Sequence, residues 1–311
     1  MADGATVGSG RRASGWFRDE SVRPADYGGS MRRLTANGLT FDVADSGEPD
    51  REAVLLLHGF PQDLTSWDEI AADLRTAGYR TVAFNQRGYS PGARPSRLRD
   101  HQQAHMVDDA VALLDELGID QAHVVGHDWG GAVAWAIGST HPGRVASLTV
   151  LSTPYPSAMT KVALRSTQLL HSWYMGLFQL PLLSTAVLTP SGPFWRAVMK
   201  GLPAVKKAHY TERARQPGAL PAMLKWYRAL PLDIARPSVD WHRISVPTLY
   251  IWGERDPALG RAAAEATEAY VTGPYTFLAL PGIGHWVPES APLQVTSALL
   301  PHLGEHPAAT S

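Results

Sequence analysis

Short runs of consecutive apolar residues recur along the chain and predict strands that are buried on both faces of a sheet. The run from Ala53 to Leu57 stops at Gly59 and Pro61, as a strand does when it ends in a turn. Helix-period stretches such as Met106 to Leu117 lie between most of these runs. Alternating strands and helices predict an α/β fold with a mostly parallel sheet. The other candidate strands cover 80–84, 122–125, 147–151, 248–252 and 275–280.

Two segments depart from this alternation. Residues 39–47 alternate apolar and polar positions, which predicts an antiparallel strand at the edge of the sheet. Residues 154–246 are rich in Trp, Tyr, Leu and Pro and offer helices without a convincing strand, so we interpret them as an inserted helical cap. The predicted organisation is a loose N-terminal extension (1–30), a core (31–153 and 247–304) and a cap (154–246). Residues from about 304 onwards are also expected to be loose.

Charge and composition narrow the range of partners. Lys plus Arg number 28 and Asp plus Glu number 29, so no broad field attracts nucleic acid or anionic lipid. The absence of cysteine excludes disulfides, thiolate catalysis and Cys-ligated metals. The first 30 residues hold no secretory apolar run, and the apolar stretch 177–188 is too short to span a bilayer. We expect a cytoplasmic protein without membrane anchoring, as a monomer or a homodimer, with a small neutral ligand.

The segment Gly126-His127-Asp128-Trp129-Gly130-Gly131 follows a predicted strand and precedes a predicted helix. This is the layout of a nucleophile elbow, a sharp turn that lifts one side chain above the sheet. Small residues two positions before and after the apex prevent clashes, and Gly126 and Gly130 meet that requirement around Asp128. The alternative is that Asp128 only caps the following helix.

A carboxylate nucleophile needs an oxyanion site, a base and an acid that orients the base. The loop His58 to Pro61, directly after a strand, is a candidate oxyanion site, with the backbone N–H groups of Phe60 and Trp129 as the donors. His58 itself is interpreted as a packed loop histidine.

The orienting acid and the base are expected after the last two strands. Asp256 is the candidate acid, with Glu254 as its rival, because a carboxylate at the C-terminal end of a strand can face the active crevice. His285, in a glycine-containing loop, is the candidate general base. The chain order of nucleophile, acid and histidine agrees with this assignment.

Through HGFP, VGHDWGG, WGERDPAL and GIGHWVPESAP, the sequence resembles the epoxide hydrolase branch of the α/β-hydrolase superfamily over roughly residues 30–305. The resemblance implies a mostly parallel eight-stranded sheet flanked by helices, with a helical cap. It also implies two cap tyrosines that hydrogen-bond the epoxide oxygen, and these match Tyr174 in SWYMGLFQLP and Tyr227 in LKWYRALP. As isolated residues both would be ordinary packing aromatics.

The implied reaction is hydrolysis of an epoxide to a vicinal diol through an ester on Asp128, with water activated by His285 and Asp256. Haloalkane dehalogenases share the VGHDWGG pattern, but tend to have Asn where this chain has Phe60. A dehalogenase and a non-catalytic binding module are the alternatives. No cofactor or metal is expected, since the His101–His105 pair lacks the Glu of a metalloprotease motif. The expected pocket residues, which favour an apolar or aromatic epoxide, are Trp173, Met175, Phe178, Leu180 and Trp226.

Overall fold

Eight strands form one sheet in the computed structural model, which describes residues 31–163, 176 and 178–309. The strands are β1 (Met31–Ala36), β2 (Leu39–Ser46), β3 (Ala53–Leu57), β4 (Arg80–Phe84), β5 (Ala122–His127), β6 (Val145–Leu151), β7 (Thr248–Gly253) and β8 (Tyr275–Leu280). Their order is β1-β2-β4-β3-β5-β6-β7-β8. Strands β3 to β8 run parallel, whereas β2 pairs antiparallel with both β1 and β4. This is the α/β-hydrolase type of sheet that the sequence predicted.

Helices connect the strands and cover both faces of the sheet. They are α1 (Asp68–Thr76), α2 (Gln103–Glu116), α3 (Trp129–Thr140), α4 (Pro156–Ala163), α5 (Pro181–Val187), α6 (Pro193–Val198), α7 (Ala204–Arg215), α8 (Ala219–Met223), α9 (Lys225–Ala235), α10 (Arg261–Ala266), α11 (Val287–Ser290) and α12 (Pro292–Glu305). Short 3-10 helices cover 64–67, 91–93, 98–101, 142–144 and 267–270.

The continuous apolar runs are explained by burial on both sides of the sheet. Leu55 and Leu57 of β3 pack into the core that α2 and α3 cover, whereas Val54 and Leu56 pack into the core that α1 and α12 cover. All of β3 is buried. Each fully buried aliphatic side chain stabilises the fold by roughly 1.5–3 kcal/mol. The central strands therefore give the loops at their C-terminal ends a rigid support.

The prediction for the sheet edge was wrong in one respect. Residues 39–46 form an antiparallel strand as expected, but β1 covers its outer side and is the true edge. Most side chains of β1 are exposed, so β1 has no buried run. The missed signal was Asn37-Gly38, which joins β1 and β2 with positive φ angles of 46° and 72°, because Asn-Gly favours a two-residue hairpin turn.

Between β6 and β7 the described residues form helices, α4 to α9, and no strand. The boundaries of the core and the cap stay a prediction. The expectation of a loose C-terminus was wrong as far as residue 309, because α12 runs to Glu305 and the N–H of Ala308 donates to Oε2 of Glu52. The predicted N-terminal extension lies outside the described residues. Within the described part of the chain, no helix combines the length and the apolar character needed to cross a membrane.

Candidate active site

Asp128 lies at the apex of a sharp turn between β5 and α3. Its backbone has φ 51° and ψ −121°, a region that L-residues seldom adopt and that is tolerated where a site requires it. A Cβ atom at Gly126 would collide with the carbonyl of Gly130, and one at Gly130 would collide with the carbonyl of Leu57. The hydroxyl of Thr153 donates to the Asp128 carbonyl over 2.7 Å. Two glycines and one side chain therefore hold the turn.

The carboxylate of Asp128 does not cap α3. Its side chain makes no capping hydrogen bond to the helix. Instead, Oδ2 accepts a hydrogen bond of 2.8 Å from the N–H of Phe60, and Oδ1 lies 3.6 Å from Nε2 of His285. The geometry thus supports the elbow and not the capping alternative.

The loop that provides the Phe60 N–H passes close to this carboxylate. A Cβ atom at Gly59 would lie 2.5 Å from Cβ and 2.6 Å from Oδ2 of Asp128, so only glycine fits. The His58 ring faces away, with Nδ1 2.9 Å from the Gly59 carbonyl and Nε2 3.1 Å from the Gln86 N–H. Burial lowers the pKa of His58 to about 4, in agreement with its interpretation as a packed, neutral histidine.

Trp129, the second expected oxyanion donor, directly follows Asp128 in the chain. Within the described residues its N–H makes no hydrogen bond to the Asp128 carboxylate, which has the Phe60 N–H as its main-chain donor. The position of Trp129 at the start of α3 nevertheless leaves its N–H at the positive end of a helix dipole.

His285 links the elbow to a buried carboxylate. Its Nδ1 lies 2.8 Å from Oδ2 of Asp256. Oδ1 of Asp256 accepts from the N–H groups of Ala258 and Leu259, so the carboxylate is held on both sides. The rival acid, Glu254, lies 3.3 Å from the exposed Arg261. The structure therefore pairs His285 with Asp256.

The charges of neighbouring side chains change the pKa values of Asp128 and His285. Burial acts to raise the pKa of Asp128, but the hydrogen bond and the charge of His285 outweigh burial, and the pKa falls below its usual value. Burial acts to lower the pKa of His285, but the charge of Asp256 and the hydrogen bonds to both carboxylates raise it well above its usual value. The arrangement holds an ionised carboxylate against an imidazole that has a high affinity for a proton.

Comparison with known proteins places this chain in a family. The model of the family described as alpha/beta hydrolase fold matches residues 52–292. The chain is 31% identical over 313 residues to Epoxide hydrolase A of Mycobacterium tuberculosis, with 88% of this chain and 96% of that protein covered. The chain belongs to the epoxide hydrolase branch of the α/β-hydrolase superfamily.

A further relative supports the superfamily, and a solved structure supports the branch. The AB hydrolase superfamily protein YfhM of Bacillus subtilis is 35% identical over 280 residues, with 87% of this chain and 96% of that protein covered. A solved structure from a study of epoxide hydrolases in metagenomes from hot environments has a TM-score of 0.78 and 29% identity, with 88% of this chain and 98% of that chain covered.

In this member of the epoxide hydrolase branch, a cavity of about 150 Å³ opens onto Asp128. Tyr227 lines the same cavity and is almost fully buried. Its ring makes edge contacts with the rings of Phe60, Trp129 and Phe178, at centroid distances of 4.8–5.1 Å. Of the two expected cap tyrosines, Tyr227 therefore reaches the site, and Tyr174 lies outside the described residues.

None of the five other residues expected in the pocket is among the described residues that line this cavity. Trp173 and Met175 also lie outside the described residues. Phe178 packs behind Tyr227 and does not line the cavity. Leu180 is 52% exposed at the start of α5, and the indole N–H of Trp226 donates to the Arg87 carbonyl over 2.7 Å, which turns its ring into the core. Phe178, Leu180 and Trp226 are thus not among the described residues that line this cavity, and their place in the substrate pocket stays a prediction.

Sequence reasoning missed most of the cavity wall. Leu230 lies one helical turn after Tyr227, so the spacing of α9 could have indicated it. Leu259 follows the predicted acid, and Thr153 follows the end of β6, positions that face the crevice of such a sheet. The described residues that line the cavity are Gln103, Asp128, Trp129, Ala132, Thr153, Pro156, Met159, Tyr227, Leu230, Ala258 and Leu259.

Proposed function

We propose that this chain hydrolyses an epoxide to a vicinal diol through a covalent hydroxyalkyl ester on Asp128. One observation carries the proposal: the Asp128 carboxylate, oriented by the Phe60 N–H and adjacent to His285, faces a cavity that Tyr227 also lines. The proposed nucleophile and a phenol side chain thus line one small cavity, and the proposed base lies 3.6 Å from the nucleophile. The names of the relatives supply the substrate class.

In the first half-reaction, a carboxylate oxygen of Asp128 attacks an epoxide carbon, and the carbon–oxygen bond of the ring breaks. The negative charge moves to the former ring oxygen, which accepts a proton from the Tyr227 hydroxyl, with Tyr174 proposed as the second donor. The product of this step is an ester between Asp128 and the substrate.

In the second half-reaction, Nε2 of His285 accepts a proton from water, and the resulting hydroxide attacks the carbonyl carbon of the ester. Asp256 keeps the ring in the orientation that leaves Nε2 free to accept. The N–H groups of Phe60 and Trp129 stabilise the oxyanion, after which the ester bond breaks and the imidazolium returns its proton to the leaving diol. This leaves Asp128 as a carboxylic acid and Tyr227 as a phenolate, and the proton of the acid returns to the phenolate. The free carboxylate of Asp128 and the Tyr227 hydroxyl are thereby restored.

The cavity that the described residues line is of a size that suits a small substrate. A cavity of about 150 Å³ in a protein interior accommodates a molecule the size of benzene. Met159, Leu230 and Leu259 give it apolar walls. We infer that the preferred epoxides carry one small apolar or aromatic substituent, such as styrene oxide.

The decisive test is a single turnover of styrene oxide in H₂¹⁸O with enzyme in excess. The ester mechanism transfers an unlabelled oxygen from Asp128 to the diol and leaves ¹⁸O in the carboxylate. Mass spectrometry should find an unlabelled diol and a labelled Asp128 peptide. A labelled diol with an unlabelled peptide would mean direct attack by water and would rule out the covalent step.

A substrate panel separates the competing functions. Styrene oxide, an aliphatic epoxide, 1-bromobutane and p-nitrophenyl acetate should be tested with the wild type and with Tyr227→Phe. Diol formation that falls sharply in the variant supports epoxide hydrolysis, because the proposed opening of an epoxide needs a phenol to protonate the ring oxygen. Bromide release that the variant retains would indicate a dehalogenase, and saturable binding with no turnover would indicate a binding module.

A further inference from the structure

Behind the triad, four buried polar side chains form a hydrogen-bonded chain that the reaction itself does not use. Nε2 of His127 lies 2.8 Å from the main-chain carbonyl of His285, and Nδ1 lies 2.8 Å from Oε1 of Gln62. Nε2 of Gln62 donates to Oε1 of Glu289 over 2.7 Å, and the hydroxyl of Tyr210 donates to the same oxygen over 2.9 Å. These hydrogen bonds connect the turn at Asp128, the loop of residues 58–61 and the loop that carries His285.

The orientation of the Gln62 amide is fixed by a main-chain donor. The N–H of Gly59 donates to Oε1 of Gln62 over 3.0 Å. Reversing the amide would place an NH₂ group against this N–H and would also face two oxygens toward each other at Glu289. Oε1 of Gln62 is therefore the acceptor that faces His127.

This orientation determines how many protons the His127 ring needs. The carbonyl of His285 and Oε1 of Gln62 both accept, and both lie within 2.8 Å of a ring nitrogen. The His285 carbonyl also accepts from the N–H of Val287 and the hydroxyl of Ser152. Oε1 of Gln62 already accepts from a main-chain N–H, so neither oxygen lacks a donor. A neutral imidazole has one N–H, however, so its unprotonated nitrogen would lie 2.8 Å from one of these oxygens as a second acceptor, whereas an imidazolium donates to both. A buried pair of acceptors at this distance is costly.

Glu289, on the other side of the Gln62 amide from His127, can supply a buried negative charge that balances an imidazolium. Glu289 is buried, and within the described residues its Oε2 has no hydrogen-bond partner. The charge of Lys206 on α7 favours the ionised form of Glu289, and the Tyr210 hydroxyl donates to it. A buried cation and a buried anion together cost less than either one alone.

Burial works against this charge state. Burial and the neighbouring His285 lower the pKa of His127 to about 4, although Asp128 and Asp256 act to raise it, and burial raises the pKa of Glu289. The Gly59 N–H opposes this effect of burial, because a main-chain donor cannot rotate away and a neutral His127 would leave two acceptors in contact.

We propose that His127 and Glu289 form a buried charge pair bridged by Gln62, and that this pair positions His285 and tunes its basicity. The functional part of this inference rests on the proposed function. The rings of His127 and His285 are 5.0 Å apart. Once Asp128 is esterified, its charge no longer favours protonation of His285, and a cation at His127 keeps Nε2 of His285 unprotonated and able to accept a proton from water.

The charge state can be measured without any substrate. In ¹⁵N-histidine-labelled protein at pH 7, both ring nitrogens of His127 should show the chemical shifts of N–H groups, with the signals assigned by their loss in His127→Gln. In Glu289→Gln, which keeps an acceptor oxygen but removes the charge, one nitrogen should lose its proton. Glu289→Asp should retain both, and the exposed Glu116→Gln is the control that should change nothing.

A singly protonated His127 in the wild type would overturn the charge pair, and that outcome does not depend on whether Glu289→Gln folds. An imidazolium that persists in a folded Glu289→Gln protein would also overturn it. Both outcomes are independent of whether the chain hydrolyses epoxides.

The effect on His285 is tested by the pH dependence of ester hydrolysis in single turnovers. Loss of the cation should raise the pKa of His285 in the ester, so the acid limb in Glu289→Gln should move to higher pH by about one unit or more. A merely structural role would lower the rate at all pH values and leave the limb in place, which would refute the tuning role.

Discussion

The main-chain N–H of Phe60 donates a hydrogen bond of 2.8 Å to Oδ2 of Asp128, a residue 68 positions further along the chain. The same N–H is proposed to hold the oxyanion when water attacks the ester, so the donor is in place before the substrate arrives. A donor that needs no reorganisation stabilises developing charge more than one that must move. In the resting protein it also helps to keep Asp128 ionised.

The close approach of this loop to the nucleophile predicts that Gly59→Ala forms the diol about 100-fold more slowly than the wild type. The added Cβ would lie 2.6 Å from Oδ2 of Asp128, so either the carboxylate or the loop must move. Misplacement by about 1 Å can cost on the order of 100-fold in rate. Initial rates of diol formation provide the measurement. Gly143→Ala is the control, because an added Cβ there has no atom within 4 Å, and equal rates in the two variants would contradict the expectation.

The roles of the two neighbouring acids can be separated by a matched pair of variants. Asp256→Asn keeps the shape of the side chain but favours the wrong tautomer of His285, and the analogous change in a serine protease costs about 10⁴-fold. Glu254→Gln removes only the contact with Arg261 and should stay near wild-type activity. If Glu254→Gln proved to be the slower enzyme in kcat, the assignment of Asp256 would be wrong.

Replacement of His285 should separate the two half-reactions. His285→Gln leaves Asp128 able to attack but removes the base, so the ester should accumulate. Intact-mass spectrometry should show the protein mass increased by that of one substrate, and peptide mapping should place the addition at Asp128. Asp128→Ala is the control and should show neither addition nor turnover. An unmodified His285→Gln protein that also lacks turnover would argue against Asp128 as the nucleophile.

The pH dependence of the first half-reaction should follow the lowered pKa of Asp128. Because the ionised form attacks, ester formation should persist at pH values below the ordinary aspartate pKa of about 4. In His285→Gln the burial of Asp128 remains while its charged partner is lost, so the acid limb should move to higher pH. Trp129 lines the cavity, so stopped-flow tryptophan fluorescence can follow the step. Coinciding acid limbs would show that His285 does not set this pKa.

The sequence carries the sheet and the triad for different physical reasons. Buried parallel strands leave unbroken apolar runs, and the turn at Asp128 leaves glycines at fixed offsets, because any Cβ atom at Gly126 or Gly130 would clash. These constraints are local, so they can be read from short segments. The edge strand β1 escaped because exposure on most of its length leaves no apolar run.

The cavity wall depends on packing between distant segments, which no local pattern encodes. Trp226 and Tyr227 are neighbours in sequence, yet Trp226 donates its N–H to Arg87 in the core while Tyr227 lines the cavity. Which of two adjacent aromatic residues faces the site depends on the rotation of α9 against the core. The hydrogen bonds that link His127, Gln62 and Glu289 were missed for the same reason, since these residues lie up to 227 positions apart in the sequence.

An ionic cluster around the buried side chain of Asp63 connects the segment after the loop of residues 58–61 to α7. Asp63, which follows that loop, lies 2.7 Å from Nε2 of His209 and 3.2 Å from Nε of Arg213, both on α7. Its Oδ1 also accepts from the N–H of Thr65. Burial acts to raise the pKa of Asp63, but the hydrogen bonds and charges of these partners lower it well below the usual range.

Asp63→Ala should therefore reduce the free energy of unfolding by about 1–3 kcal/mol, because it removes the carboxylate partner of two basic side chains that are only partly exposed. The exposed pair of Glu212 and Arg215 supplies the control, since Glu212→Gln should cost less than about 1 kcal/mol. Urea unfolding followed by circular dichroism gives both values.

The sign of the pH dependence follows from the lowered pKa of Asp63. The stability that Asp63 contributes is present above the unfolded-state aspartate pKa of about 4 and is lost as the pH falls through the lower folded-state value. The difference in unfolding free energy between the wild type and Asp63→Asn should therefore shrink as the pH falls below about 4. A difference that stayed constant down to pH values of about 2 would mean that Asp63 acts through its hydrogen bonds and not through its charge.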